Sequence, residues 1–143
     1  MDEVRIRAAA KGDVVVLAKL MTELGYPTST EAMSRRLEEI SADPSYRALV
    51  AERDGQVLGM VGLHVERYCE KDGSCARIIS LVVDSEHRGE GVGRTLISAA
   101  EEWARQRGAQ DVMLTTHKRR AGAHRFYRSM GYEATGYRFY KEL

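Results

Sequence analysis

The chain has 143 residues, with 22 Lys+Arg against 21 Asp+Glu, a formal charge of +1, 43% hydrophobic residues and 30% charged ones. That length suits a single domain, residues 1–143, able to bury roughly two-thirds of its extended surface without metal or disulfide staples. Balanced charge excludes a general attraction to nucleic acid or anionic lipid, and no apolar run approaches the ~18 residues of a membrane span.

Met1-Asp2-Glu3 lacks the charged-then-apolar pattern of a secretory leader, so the expected location is cytoplasmic. Cys69 and Cys75 flank Lys71-Asp72-Gly73-Ser74, a turn that could bring them together, but free thiols fit that compartment better. Zinc is disfavoured, because neither cysteine belongs to a C-x-x-C pair and no H-x(3–5)-H follows. No metal is expected.

Val4 and Ile6 alternate with Glu3, Arg5 and Arg7, which predicts a short first strand. Asp13 is placed to cap a helix carrying Leu17, Leu20, Met21 and Leu24 on one face, with Gly25 at its exit. Thr28 with Glu31 makes a capping box for a second helix, on which Met33, Leu37 and Ile40 share a face. Residues 47–53 and 56–65 then read as strands joined by the hairpin signal Asp54-Gly55. Residues 75–83, with Ile78, Ile79, Leu81, Val82 and Val83, hardly alternate, which predicts a strand buried on both faces at the centre of the sheet. A long amphipathic helix holding Leu96, Ile97, Ala100, Trp103 and Ala104 ends at Gly108. Residues 111–116 read as a strand, 121–130 as a short helix capped by Gly131, and 132–140 as a final strand. The order β-α-α-β-β-β-α-β-α-β predicts an α/β fold, a mixed central sheet with helices on both faces.

The most informative segment joins the apolar strand to the long helix through Arg88-Gly89-Glu90-Gly91-Val92-Gly93-Arg94. Alternate glycines allow close approach to the backbone, and a helix start offers unpaired N–H groups at the positive end of its dipole. Together they suit a phosphate or pyrophosphate. The dinucleotide fingerprint fails, since Arg94 stands where its third glycine belongs, and no G-K-[ST] ending supports an ATP loop. What remains is R-x-x-G-x-G. A second segment, Ala121 to Tyr132, puts Ala123, Phe126, Tyr127 and Met130 on one helical face, where the aromatics by themselves would read as core.

These two segments together resemble the GNAT N-acetyltransferase superfamily, whose motifs are [RQ]-x-x-G-x-[GA] and N-x-x-A-x-x-F-Y-x-x-x-G-[FY]. Arg88, Gly91 and Gly93 match the first, and Ala123, Phe126, Tyr127, Gly131 and Tyr132 match the second in place. The order of elements matches as well. The resemblance implies acetyl-CoA as co-substrate and a small primary amine as acceptor. Leu81, Val82 and Val83 would bond the pantetheine arm like an added strand, with a bulge splaying them from strand 111–116. Arg88, Gly89, Glu90, Gly91, Val92, Gly93 and Arg94 would cradle the pyrophosphate mainly through backbone N–H groups. A backbone N–H near Val82 would meet the tetrahedral oxyanion. Phe126 would belong to the cofactor site, and the Tyr127 phenol would protonate the leaving thiolate.

The sequence departs from that pattern at three positions. Arg120 replaces a frequent Asn, and its guanidinium suits a CoA phosphate or an anionic substrate; Ser85 replaces a common Pro; and Ile79 stands where many relatives carry an acidic base. The base is therefore unassigned among Glu66, His64, His117 and Glu23, or water held by Ser80 or Thr116. His117 lies just past strand 111–116, whereas His64, between Leu63 and Val65, reads as structural.

Three stretches also resemble aminoalkylphosphonate N-acetyltransferases: Gly59-Met60-Val61-Gly62-Leu63-His64, then Arg119-Arg120 with Ala123-His124-Arg125-Phe126-Tyr127, and the ending Arg138-Phe139-Tyr140-Lys141-Glu142-Leu143. Lys118, Arg119 and Arg120 offer charge to a phosphonate. Amino sugars, polyamines and amino acids stay open as acceptors. So do a protein or peptide N-acetyltransferase and a non-catalytic acetyl-CoA sensor, the latter because of Ile79. The alternating residues 137–143 could pair with a second copy in a homodimer.

Overall fold

Asp54 and Gly55 both take positive φ, 53° and 77°. Those are the torsions a two-residue turn needs to match the twist of the strands it joins. It connects β2 (Tyr46–Arg53) to β3 (Gln56–Arg67). The computed structural model describes residues 3–116 and 121–143, which divide into two compact units after Met113.

The first unit begins with β1 (Arg5–Ala8), α1 (Val14–Leu24) and α2 (Thr30–Ala42). After β2 and β3 come β4 (Ser74–Val83), α3 (Val92–Gln106) and β5 (Asp111–Leu114), whose last residue opens the second unit. The sheet order is β1-β2-β3-β4-β5, with the first four strands antiparallel to their neighbours. Gln110 N donates to Ser74 O at 2.8 Å, so β5 starts beside the start of β4 and runs the same way. The sheet is mixed, as expected.

Its centre is β3, which corrects the expectation that residues 75–83 hold that place. Residues 57–63 of β3 are all buried, whereas Ile79 on β4 is 42% exposed. Gly59 and Gly62 disguise the central strand, because they interrupt its apolar run. A Cβ at Gly59 would meet Val82 O at 2.8 Å and Leu96 Cδ1 at 3.1 Å, so bare backbone is what lets β4 and α3 close onto it.

Neighbouring strand residues point to opposite faces. Met60 joins the cluster made by Leu17, Leu20 and Met21 of α1, Met33 and Leu37 of α2, and Val50 and Val82 of the sheet. Gly59, one residue earlier, meets α3 through Leu96. Helices α1 and α2 therefore cover one face and α3 the other.

Two caps differ from expectation. The N-cap of α2 is Ser29, whose hydroxyl accepts from Ala32 N at 3.1 Å. Thr28 is diverted, its hydroxyl donating to Tyr26 O at 2.6 Å and its N–H bonding Thr22 Oγ1. Asp13 occupies the N-cap position of α1 without capping it, because its carboxylate accepts from the Arg7 guanidinium at 2.8 and 2.9 Å and from Ala10 N. Cys69 and Cys75 are both free thiols, and Cys75 pairs in register with Glu66.

The second unit holds α4 (Ala121–Ser129). Gly131 ends it at φ 92°, with Gly131 N donating to Arg128 O and Tyr132 N to Tyr127 O. The Tyr127 and Tyr132 rings meet at 6.1 Å, the apolar contact that accompanies such a left-handed cap. The expected strand over 132–140 is absent among the described residues. Tyr137 and Phe139 are each 93% exposed there, and a β-prone sequence stays irregular without a ladder partner.

Candidate active site

The site in the first unit is built where β4 runs into α3. Val82 is buried opposite Met60, while Leu81 and Val83 are half-buried opposite Val61 and Gly59. Strand β5 has four residues against ten in β4 and starts at the same end, so it pairs with at most the first half of its neighbour. The edge of β4 that carries Leu81, Val82 and Val83 extends past β5. An extended ligand could lie along such an edge as an added strand.

Beyond Val83 the chain turns on Asp84, which is buried. Its N–H donates to Leu58 O at 2.8 Å, and its carboxylate accepts from Glu86 N at 2.9 Å to cap a short 3-10 turn. Gly89 and Gly91 follow at φ 79° and 86°, both exposed, with open space where a Cβ would stand. Gly91 is the N-cap of α3, and the first helical bond runs from Thr95 N to Gly91 O at 3.1 Å. The N–H groups of Val92, Gly93 and Arg94 therefore precede that first bond, at the positive end of a fifteen-residue helix. Arg88 and Arg94 are exposed on either side. An open, glycine-lined surface at a helix start fits a phosphate group.

Glu90 looks wrong for an anion site, and the fold deals with it. Its carboxylate accepts from Arg53 Nη2 at 2.8 Å and lies 3.2 Å from His87 Nδ1. Arg53, at the end of β2, and then His87 hold that carboxyl below the usual range, so it stays ionised and turned aside. The same clamp ties the glycine loop to the sheet. Composition and spacing had no signal for it, because Arg53 and Glu90 meet only once β2 and β4 have both paired with β3.

The structure thus brings Leu81, Val82, Val83 and Arg88 through Arg94 together. Phe126 and Tyr127 form a second group on α4 of the other unit, with ring centroids 5.4 Å apart and both side chains partly covered. Arg120, His117, Lys118 and Arg119 lie outside the described residues. Among the described residues no group of three or more His, Cys, Asp or Glu could hold a metal, and no helix is long and apolar enough to cross a membrane.

Strand β4 carries a bulge against β3, two residues before Leu81. Gly62 pairs with Ser80 and Leu63 with Ile78, so Ile79 is the extra residue. Its Cγ1 lies 3.2 Å from where a Gly62 Cβ would be.

Residues 15–132 match the family model described as Acetyltransferase (GNAT) family. An aminoalkylphosphonate N-acetyltransferase of Salmonella typhimurium is 36% identical over 124 residues, 87% of this chain and 78% of that protein. The chain belongs to the GNAT acetyltransferase family. Membership makes it an acetyl-CoA-dependent acyltransferase. This acetyltransferase also spans 40% of the length of rat N-acetyltransferase 8, at 36% identity over 90 residues and 63% of its own length. Among solved structures, a transcriptional regulator from Bacillus halodurans C-125 superposes with a TM-score of 0.92 at 26% identity, covering 99% of this chain and 100% of that one. A GNAT family acetyltransferase from Staphylococcus aureus does so with a TM-score of 0.85 at 26% identity, covering all of both chains. The mixed sheet of this acetyltransferase is the GNAT fold.

Proposed function

We propose that the chain transfers the acetyl group of acetyl-CoA to the primary amine of a small molecule, with aminoalkylphosphonates as the first acceptor class to test. The observation that carries this reading is the junction of β4 with α3, where a strand edge left uncovered by β5 runs into a helix start lined by glycines at positive φ. Its acceptor side rests on the 36% identity, over most of the chain, to an aminoalkylphosphonate N-acetyltransferase.

Acetyl-CoA supplies the activated acyl group; this chain's residues hold and position it. Backbone groups of Leu81, Val82 and Val83 would bond the pantetheine arm, and the N–H groups from Arg88 to Arg94 would receive the pyrophosphate. Arg120 would meet an acidic group of either substrate, and Phe126 would pack beside the cofactor. The Tyr127 phenol would protonate the departing thiolate, a role typically worth ~10²–10⁴-fold. Holding both reactants in one cleft contributes separately through effective concentration.

Thiol release from acetyl-CoA across a panel of amines tests this reading. The panel holds aminoalkylphosphonates, aminoglycosides, polyamines, amino acids and N-terminal peptides. Release that depends on an aminoalkylphosphonate is expected; release with peptides alone would favour a protein acetyltransferase, and tight acetyl-CoA binding without any release a sensor. In the same assay Tyr127→Phe should lower turnover by about 10²-fold with little change in acetyl-CoA affinity.

A further inference from the structure

Acetyl transfer to an amine needs a proton acceptor, because an alkylammonium near pKa 10.4 is almost wholly protonated at neutral pH. Ile79 offers none. Its bulge nonetheless shows where to look. The Ile79 side chain lies over Gly62, on the sheet face to which Gly62 and, two residues along β3, His64 both project. In a strand those two positions are separated by roughly 7 Å.

His64 is not buried as a structural histidine would be; its side chain is 22% exposed. Its ring stacks on Tyr46 of β2 with centroids 4.1 Å apart and planes at 28°. Nδ1 lies 3.2 Å from Glu66 Oε1, and Arg77 of β4, the register partner of His64, reaches the same carboxylate at 3.6 Å. Asp43, at the end of α2, is within electrostatic reach, though Ser45 holds its carboxyl below the usual range. With Nδ1–H donating to Glu66, the Nε2 lone pair is the one left to accept a proton. A ring fixed by stacking, oriented by a carboxylate and open to water has the parts of a general base with its positioning partner.

We propose that His64 is the proton acceptor of the transfer, through a water, and that Glu66 is its positioning residue. This deepens the acetyltransferase reading and rests on it. Of the two protons the ammonium loses, one passes by way of water to Nε2 and on to solvent, and the other ends on the leaving sulfur. The amine nitrogen forms the N–C bond, the C–S bond breaks, and the products are an amide and a thiol.

The test is the pH dependence of kcat/KM for the full chain, as wild type, His64→Gln and Glu66→Gln, with 2-aminoethylphosphonate or whichever panel amine the wild type acetylates. His64→Gln is expected to lose about 10²-fold near neutrality, with the deficit closing as pH approaches the amine's own pKa, where free amine needs no base. Acetyl-CoA affinity by calorimetry should stay unchanged. Glu66→Gln should lower kcat while leaving the KM for the amine nearly unchanged, since the ring loses the carboxylate that orients it. A loss of equal size at every pH, or full activity in both variants, would overturn the assignment while leaving the acetyltransferase reading intact. A wild type silent on every amine would overturn both.

Discussion

Gly91 sits at φ 86° with open space at the place of a Cβ, so a side chain there meets strain without collision. The strain of a left-handed non-glycine residue is about 1–2 kcal/mol. Gly91→Ala and Gly91→Glu share it, and their difference isolates charge. A carboxylate ~6 Å from a phosphate at an effective dielectric of ~20 opposes it by about 3 kcal/mol, roughly 100-fold in affinity. Calorimetric titration with acetyl-CoA should therefore show Gly91→Glu binding about 100-fold more weakly than Gly91→Ala. Equal affinities would remove the phosphate from this loop. Single residues were legible in sequence where their constraint is local: Gly25, Gly91 and Gly131 mark helix ends through their own torsions. Ile79 was not, because a bulge exists only against a partner strand, and its register with Gly62 joins residues far apart in the chain.

Helix α1 shows what an element's context does to a local rule. Asp13 has the residue type and position of an N-cap, yet Arg7 of β1 takes its carboxylate. A charge-assisted, two-point bond outcompetes a neutral backbone donor. Arg7 also bonds Glu52 of β2, so this group ties β1, β2 and the start of α1 together. The Arg7 hydrogen bond holds the Asp13 carboxyl below its ordinary range against the opposing effect of burial. The unfolded chain therefore binds this proton more readily than the folded one. The resulting stabilisation is complete above the unfolded carboxylate value of ~3.9 and is lost as pH falls through the lower folded value. Asp13→Asn should cost about 2 kcal/mol in urea unfolding at about pH 6, and the gap to wild type should shrink toward about pH 2. A gap that does not change with pH would show that the charge is not what stabilises the pair.

For the whole molecule, the two units carry unequal cores. The first holds all the residues of the buried cluster beneath α1 and α2, and buries Leu96, Ile97 and Trp103 of α3 as well. Among its described residues the second has one helix, of nine residues, and leaves Tyr137, Phe139, Tyr140 and Leu143 exposed. About 30 residues with that little cover are too few to fold alone. The chain should therefore unfold in one calorimetric transition, as a single domain; a second transition of its own would show that residues 114–143 fold independently.

The kinds and order of nearly all the elements, the family, and the glycine junction at the start of α3 could be read from the chain alone. Period, turn chemistry and motif spacing act over a few residues, and the chain spells them out. It took the folded chain to show that β3 is central, that residues 132–140 lack a ladder among the described residues, that Arg53 turns Glu90 aside, and that His64 stands on the face of Ile79 with Glu66 at its Nδ1. Each of these depends on which strands lie side by side and in what register, and pairing energy between distant segments sets that choice rather than the preference of any one of them.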